Sequence, residues 1–85
     1  MNSVKKTPLK VVFDTNVYIS AILTSGTPRA ALLECFKREE IEVLISEPIL
    51  SEIERILRLK IRRPYREVTG MLIAIRQNTT LADLV

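Results

Sequence analysis

A chain of 85 residues, 47% hydrophobic and 27% charged, has the size and composition of one small globular domain. The absence of histidine excludes Ser-His-Asp triads and His-ligated zinc, and a single cysteine excludes an internal disulfide. Any hydrolytic chemistry must therefore come from carboxylates, which favour Mg²⁺ or Mn²⁺. The net charge is +3, but residues 55–66 hold six basic and no acidic side chains, so the rest of the chain sums to −3.

The first predicted elements are a strand and two helices. A β-branched and aromatic run predicts a buried strand at residues 10–13, and an apolar run predicts a helix over residues 17–23. Between them lie three residue types that cap helix N-termini: Asp14, Thr15 and Asn16. A second helix is expected to run to about residue 38, with Thr27 as its cap and Pro28 at its first position.

A second strand and two more helices follow. Residues 42–45 are the second predicted strand, and Ser46 is expected to cap a third helix that ends at Pro64. A fourth helix is expected over residues 65–77, and residues 81–85 could begin a third strand. Because two apolar strands joined through helices form a crossover connection, we expect a parallel sheet and an α/β fold.

The basic block at residues 55–66 has two interpretations. It is either the solvated face of the third helix or a surface for a polyanion or an acidic protein. The longest apolar run, residues 71–75, is far shorter than the ~20 residues of a membrane span, and the N-terminus lacks the pattern of a signal peptide. We therefore expect a cytoplasmic protein with no membrane partner.

Candidate site residues follow both predicted strands, at the edge where parallel α/β sheets bind ligands. Asp14 comes directly after the first strand and is a helix cap, a metal ligand or both. Asn16 is either the cap or a side chain that orients a neighbouring carboxylate. After the second strand, Glu52 and Glu54 flank the apolar stripe of the third helix on opposite sides. Either glutamate is otherwise an ordinary solvated residue, and periodicity does not choose between them.

The segment KVVFDTNVYISAIL, followed at this spacing by EVLISEPILSEIERIL, resembles the N-terminal half of a PIN domain, and most closely the VapC-like ribonuclease toxins of prokaryotic toxin–antitoxin systems. The resemblance covers residues 9–77. It implies a three-layer, Rossmann-like α/β fold with a parallel sheet flanked by helices, and an acidic cluster that binds Mg²⁺ or Mn²⁺ and hydrolyses RNA phosphodiesters. By this resemblance Asp14 and Glu52, not Glu54, are catalytic metal ligands. Asn16 helps to hold the cluster together.

The resemblance also implies partners and a length. RNA, an antitoxin protein and a second copy of the chain are the expected partners, and three arginines are candidates for RNA binding: Arg58, Arg62 and Arg63. A PIN domain normally continues through strands that carry a third and a fourth acidic residue. Residues 1–85 are therefore expected to be a single truncated domain without its C-terminal strands, with little or no activity alone. Neither Glu67 nor Asp83 is expected to replace the missing acids.

Two other functions compete with the nuclease. One is a non-catalytic remnant that binds an antitoxin or dimerises through the third and fourth helices, a possibility suggested by their apolar stripes and by Gly70. The other is a phosphatase-like enzyme with Asp14 as the nucleophile. Such sites resemble an Asp-x-Asp arrangement, and this chain has Asn16 at the second position, so this alternative falls behind.

Overall fold

Parallel strands joined through helices form the centre of the molecule, as the sequence predicts. The structure is a computed structural model that describes residues 7–83. In this part of the chain one sheet has the strand order β1 (Leu9–Val12), β2 (Ile41–Ile45) and β3 (Thr80–Leu81). Four helices flank the sheet: α1 (Thr15–Leu23), α2 (Thr27–Lys37), α3 (Glu47–Arg55) and α4 (Tyr65–Asn78). The predicted α/β class with a parallel sheet is confirmed.

The pairing of β1 with β2 determines which residues meet at the edge of the sheet. Leu9 lies opposite Ile41 and Val11 lies opposite Val43. The central strand β2 is the more buried of the two, whereas β1 is largely exposed and pairs with no other strand within residues 7–83. Because the strands are parallel, their carboxyl ends lie at one edge, and α1 and α3 both begin there.

One hydrophobic core joins the helices to the central strand. Its buried side chains come from all four helices, from β2 and from the turn after α3: Tyr18, Ala21, Leu32, Ile45, Leu50, Ile53, Leu57, Val68 and Ile75. The core fixes α3 against α1, which places residues that are distant in sequence side by side at the start of both helices.

The N-terminal boundaries of α1 and α2 differ slightly from the prediction. Helix α1 begins at Thr15, two residues earlier than expected, because Asp14 is its N-cap. Gly26, not Thr27, is the N-cap residue of α2. The prediction for Thr27 is therefore wrong by one position, since the helix already includes it as its first residue. Ser46 caps α3 as predicted and accepts a hydrogen bond from the N–H of Ile49 at 3.4 Å.

The sequence predicted that the third helix continues to Pro64, but in the structure the α-helix ends at Arg55. After Arg55 it widens into a π-helical turn, Ile56–Lys60, in which the N–H of Ile61 donates to the carbonyl of Ile56 at 3.0 Å. Arg62 then ends the helix with a φ of 61°, in the left-handed region that glycine usually supplies at helix ends. A residue with a Cβ costs about 1–2 kcal/mol in this conformation.

The third strand differs slightly from the prediction, and Gly70 is exposed. Strand β3 begins at Thr80, one residue earlier than predicted, and residues 84–85 of the predicted strand lie outside the described residues. Gly70 lies on the exposed side of α4, where an added Cβ would meet no atom within 4 Å. Glycine is therefore not needed at this position for packing within the chain.

Candidate functional site

Side chains that follow β1 and β2 line one open cavity of about 400 Å³ at the carboxyl edge of the sheet. They come from the start of α1, from the middle of α3 and from the π turn: Asp14, Thr15, Asn16, Glu52, Arg55, Ile56 and Lys60. The structure thus brings together the two carboxylates and the asparagine that the sequence singled out. Their assigned roles remain predictions.

Asp14 has one carboxylate oxygen engaged by the backbone. Its Oδ1 accepts a hydrogen bond from the N–H of Val17 at 3.1 Å, which satisfies one of the free donors at the start of α1. No donor of residues 7–83 bonds to the other oxygen, and the side chain is exposed. Asp14 is therefore a helix cap that still has an oxygen available to a ligand, so the two proposed roles are compatible.

Glu52 is held by two neighbours. Its Oε1 accepts a hydrogen bond from the hydroxyl of Thr15 at 2.8 Å, and its Oε2 lies 3.6 Å from Nη2 of Arg55. Thr15 is only 9% exposed, so its hydroxyl has a fixed position at the start of α1. The bond joins residues 37 positions apart and ties α1 to α3. Sequence reasoning treated Thr15 only as a possible cap, because no local pattern signals a bond over that separation.

Glu54 points away from this cavity. It lines a different one and pairs with Arg58, whose Nη1 lies 3.3 Å from its carboxylate. Of the two glutamates between which helical periodicity could not choose, Glu52 is the one that shares a cavity with Asp14.

The predicted RNA-binding arginines are not equivalent. Arg58 pairs with Glu54, and its guanidinium lies 5.6 Å from the ring centroid of Tyr65. Arg63 pairs with Glu67 at 3.3 Å. Both pairs join residues four positions apart at half-exposed positions, as is typical of a solvated surface, although Arg63 itself lies in the segment between the π turn and α4. Arg62 has no carboxylate within 4.0 Å in the described part of the chain. The structure therefore leaves Arg62 the least compensated of the three.

The oxygen atoms at this cavity are of the types that bind a hard divalent cation, but they are few. Carboxylate and amide oxygens are the ligands that Mg²⁺ and Mn²⁺ prefer, and Asp14, Asn16 and Glu52 supply them. No group of three Asp, Glu or Cys side chains suited to a metal ion occurs within residues 7–83. Asp83 lines a separate cavity beside Glu47. A cation at this site would have two carboxylates from the described residues, so weak binding is expected.

A parallel α/β sheet with carboxylates at the carboxyl ends of its strands is typical of proteins that bind a ligand at this edge. A family model described as the PIN domain matches residues 10–81. The chain therefore belongs to the PIN domain family, whose members are generally nucleases that use divalent metal ions. Comparison with curated proteins and with solved structures gave no significant match.

The Thr15–Glu52 hydrogen bond should be measurable as a coupling energy. We expect a double-mutant cycle of Thr15→Val and Glu52→Ala to give a coupling of about 1 kcal/mol in the free energy of unfolding, because the bond joins a buried hydroxyl to a charged acceptor. Glu54→Ala in place of Glu52→Ala is the matched control, with coupling near zero. Equal coupling in the two cycles would show that the bond contributes nothing. Urea denaturation followed by circular dichroism measures all four variants of each cycle.

Proposed function

We propose that this chain carries part of the active site of a Mg²⁺- or Mn²⁺-dependent endoribonuclease that acts as the toxin of a VapC-like toxin–antitoxin system. The observation that carries the proposal is the meeting of Asp14, Asn16 and Glu52 at one cavity on the carboxyl edge of the sheet. Membership of the PIN domain family supports nuclease activity in general. RNA as the substrate and the toxin role rest on the sequence resemblance.

Each site residue has a distinct part in this proposal. Asp14 and Glu52 hold the cation through carboxylate oxygens, and Asn16 orients a neighbouring carboxylate through its amide. Thr15 keeps Glu52 in place through the 2.8 Å hydrogen bond. When bound, the cation acts as a Lewis acid that activates water and neutralises charge on the phosphodiester. In this proposal the side chains of the site position the cation and provide the negative charge that binds it.

The proposed activity needs more carboxylates than the described residues bring together. Two acidic ligands bind a hard cation weakly and orient an attacking water poorly, since most coordination positions remain with solvent. We therefore expect the 85-residue chain alone to cleave RNA slowly or not at all. The small number of carboxylates also favours a second candidate function, a non-catalytic module that binds an antitoxin or dimerises.

An antitoxin protein, a second copy of the chain and a cytoplasmic location complete the proposal. Several large apolar side chains are exposed in this chain and suit contact with a protein partner: Leu9, Leu33, Leu59, Tyr65 and Ile73. Within residues 7–83 no helix is long and apolar enough to cross a membrane.

Binding of Mn²⁺ tests the proposed site directly. We expect Asp14→Asn and Glu52→Gln each to weaken Mn²⁺ binding at least about tenfold, because each removes one of two charged ligands. Asn caps helices as well as Asp does, so Asp14→Asn removes the charge and retains the fold. Glu54→Gln is the matched control and should bind Mn²⁺ as the unmodified chain does. Mn²⁺-enhanced water-proton relaxation measures the affinity, and cleavage of single-stranded RNA is followed in parallel.

Two outcomes would decide between the candidate functions. Mn²⁺ affinity that is identical in all three variants would remove the proposed metal site. A chain that binds no Mn²⁺ and cleaves no RNA, yet forms a stable dimer in a sizing experiment, would support the non-catalytic module.

A further inference from the structure

Lys60 is a cation in the candidate site that the sequence did not single out. It lines the same cavity as Asp14 and Glu52. Three neighbouring arginines of the basic block each have a carboxylate within 4.0 Å: Arg55, Arg58 and Arg63. No carboxylate of residues 7–83 lies within that distance of Lys60. Its charge is therefore available to a ligand in the cavity.

The π turn explains why Lys60 is at the cavity. Lys60 comes eight positions after Glu52, and in a regular α-helix it would lie about 80° away around the helix axis. A π turn takes about one more residue per turn, which rotates Lys60 back to the side of Glu52. Leu57 remains buried in the core, while Leu59, which would face the site in a regular helix, is 65% exposed and lines a different cavity.

Arg55 adds a second positive charge at the same place. Its Nη2 lies 3.6 Å from Oε2 of Glu52, and no other carboxylate of the described residues pairs with it. A guanidinium has five N–H donors in a fixed fork, so one long contact with Glu52 leaves donors for an anionic ligand. The cavity therefore combines oxygen donors for a cation with two positive side chains on the α3 side.

We infer that Lys60, assisted by Arg55, binds a backbone phosphate of a nucleic acid strand at this site. The lysine ammonium is a compact point charge that suits a phosphate, and a phosphate between the carboxylates and Lys60 lies where a phosphodiester would meet a bound cation. This inference deepens the proposed function, on which it rests for the substrate class. Binding of a nucleic acid through Lys60 requires neither a bound metal nor cleavage. The phosphate-binding role of Lys60 and the nuclease activity are therefore tested separately.

The test is the affinity for a fluorescent single-stranded RNA of about 12 nucleotides, measured by anisotropy in EDTA at low salt. We expect Lys60→Gln to weaken binding about tenfold and to reduce the slope of log affinity against log salt by about 0.7, the value for one phosphate contact on a single strand. Arg66→Gln is the matched control. Arg66 is an exposed cation of the same basic block, also without a carboxylate within 4.0 Å in the described chain, and it does not line the cavity. Its loss should weaken binding less than about twofold.

A variant of unchanged composition tests the role of the π turn. The double substitution Leu59→Lys with Lys60→Leu moves the charge by one position. Because position 59 lies outside the cavity, we expect the double variant to lose RNA affinity as Lys60→Gln does. Affinity retained in the double variant would overturn the assignment, since it would show that charge on this helix matters and its position does not.

The remaining outcomes separate this inference from the proposed nuclease. Equal losses in Lys60→Gln and Arg66→Gln would overturn it and leave the basic block as a general charged surface. Binding of an acidic peptide, but not of RNA, that depends on Lys60 would also overturn it. An unmodified chain that binds RNA through Lys60 but never cleaves it would support the inference while the proposed nuclease activity fails.

Discussion

Replacing Leu57 by alanine is expected to lower the free energy of unfolding by about 3–4 kcal/mol. The Leu57 side chain is 0% exposed and belongs to the hydrophobic core at the point where α3 becomes the π turn. Truncation removes buried methyl groups and leaves a cavity that the neighbours fill only in part. A domain of this size has a total stability of about 4–13 kcal/mol, so the substitution removes between about a quarter and nearly all of it.

Leu59 provides a control of the same residue type two positions away. It is exposed, so Leu59→Ala should change the free energy of unfolding by less than about 0.5 kcal/mol. Urea denaturation of both variants gives the comparison. Similar losses in the two would contradict the placement of Leu57 in the core and with it the course of the π turn.

Removing the hydroxyl of Tyr18 is expected to stabilise the protein. The side chain is 0% exposed and packs edge to face against Phe13, with 6.2 Å between the ring centroids, but its hydroxyl has no hydrogen-bond partner among the described residues. A buried polar group without a partner costs about 1–3 kcal/mol. We expect Tyr18→Phe to raise the free energy of unfolding by about 1 kcal/mol at pH 7. Tyr65→Phe removes the same group from an exposed ring and should change it little.

The difference in free energy of unfolding between Tyr18→Phe and the unmodified chain should grow at alkaline pH. Burial raises the pKa of Tyr18 from 10.0 to about 12. The unfolded chain therefore releases the phenol proton first, and the stability due to the protonated phenol is complete below pH 10 and lost as the pH rises toward 12. Over that range we expect the unmodified chain to lose on the order of 2–3 kcal/mol through this group, a loss absent from Tyr18→Phe. Denaturation at pH 8 and pH 11 should show about 1.4 kcal/mol of this loss, roughly half of the total, and parallel curves for the two proteins would contradict it.

Much of the fold follows from local sequence patterns. The apolar runs ahead of Asp14 and Ser46 predict β1 and β2, because capping residues directly after a β-branched run mark the change from strand to helix. Helix ends are less predictable. The π turn and the positive φ of Arg62 depend on packing of the third helix against the core, and neither leaves a sign in the sequence, since Arg62 occupies a position where glycine is usual.

The acidic residues of the site were predicted individually, whereas Arg55 and Lys60 were predicted only as members of the basic block at residues 55–66. Strand order predicted Asp14 at the carboxyl edge of the sheet, whereas helical spacing left Glu52 and Glu54 as alternatives and the resemblance to the PIN domain selected Glu52, which shares the cavity with Asp14. Lys60 could not be found in this way, because regular helical spacing places it on another side of the helix. The contact of Thr15 with the site could be identified only from the structure, because its hydroxyl donates a hydrogen bond to Glu52, 37 positions away.

Because Thr15 and Glu52 are 37 positions apart in the sequence, the candidate site forms only when the chain folds. Its two sides are brought together only when β1 and β2 pair across a long crossover, a non-local step that is slow in folding. An unfolded chain therefore presents no weakened version of the site to an ion, only scattered carboxylates. Any divalent cation that binds here selects the native state, and its concentration in the medium then sets part of the thermal midpoint of the protein.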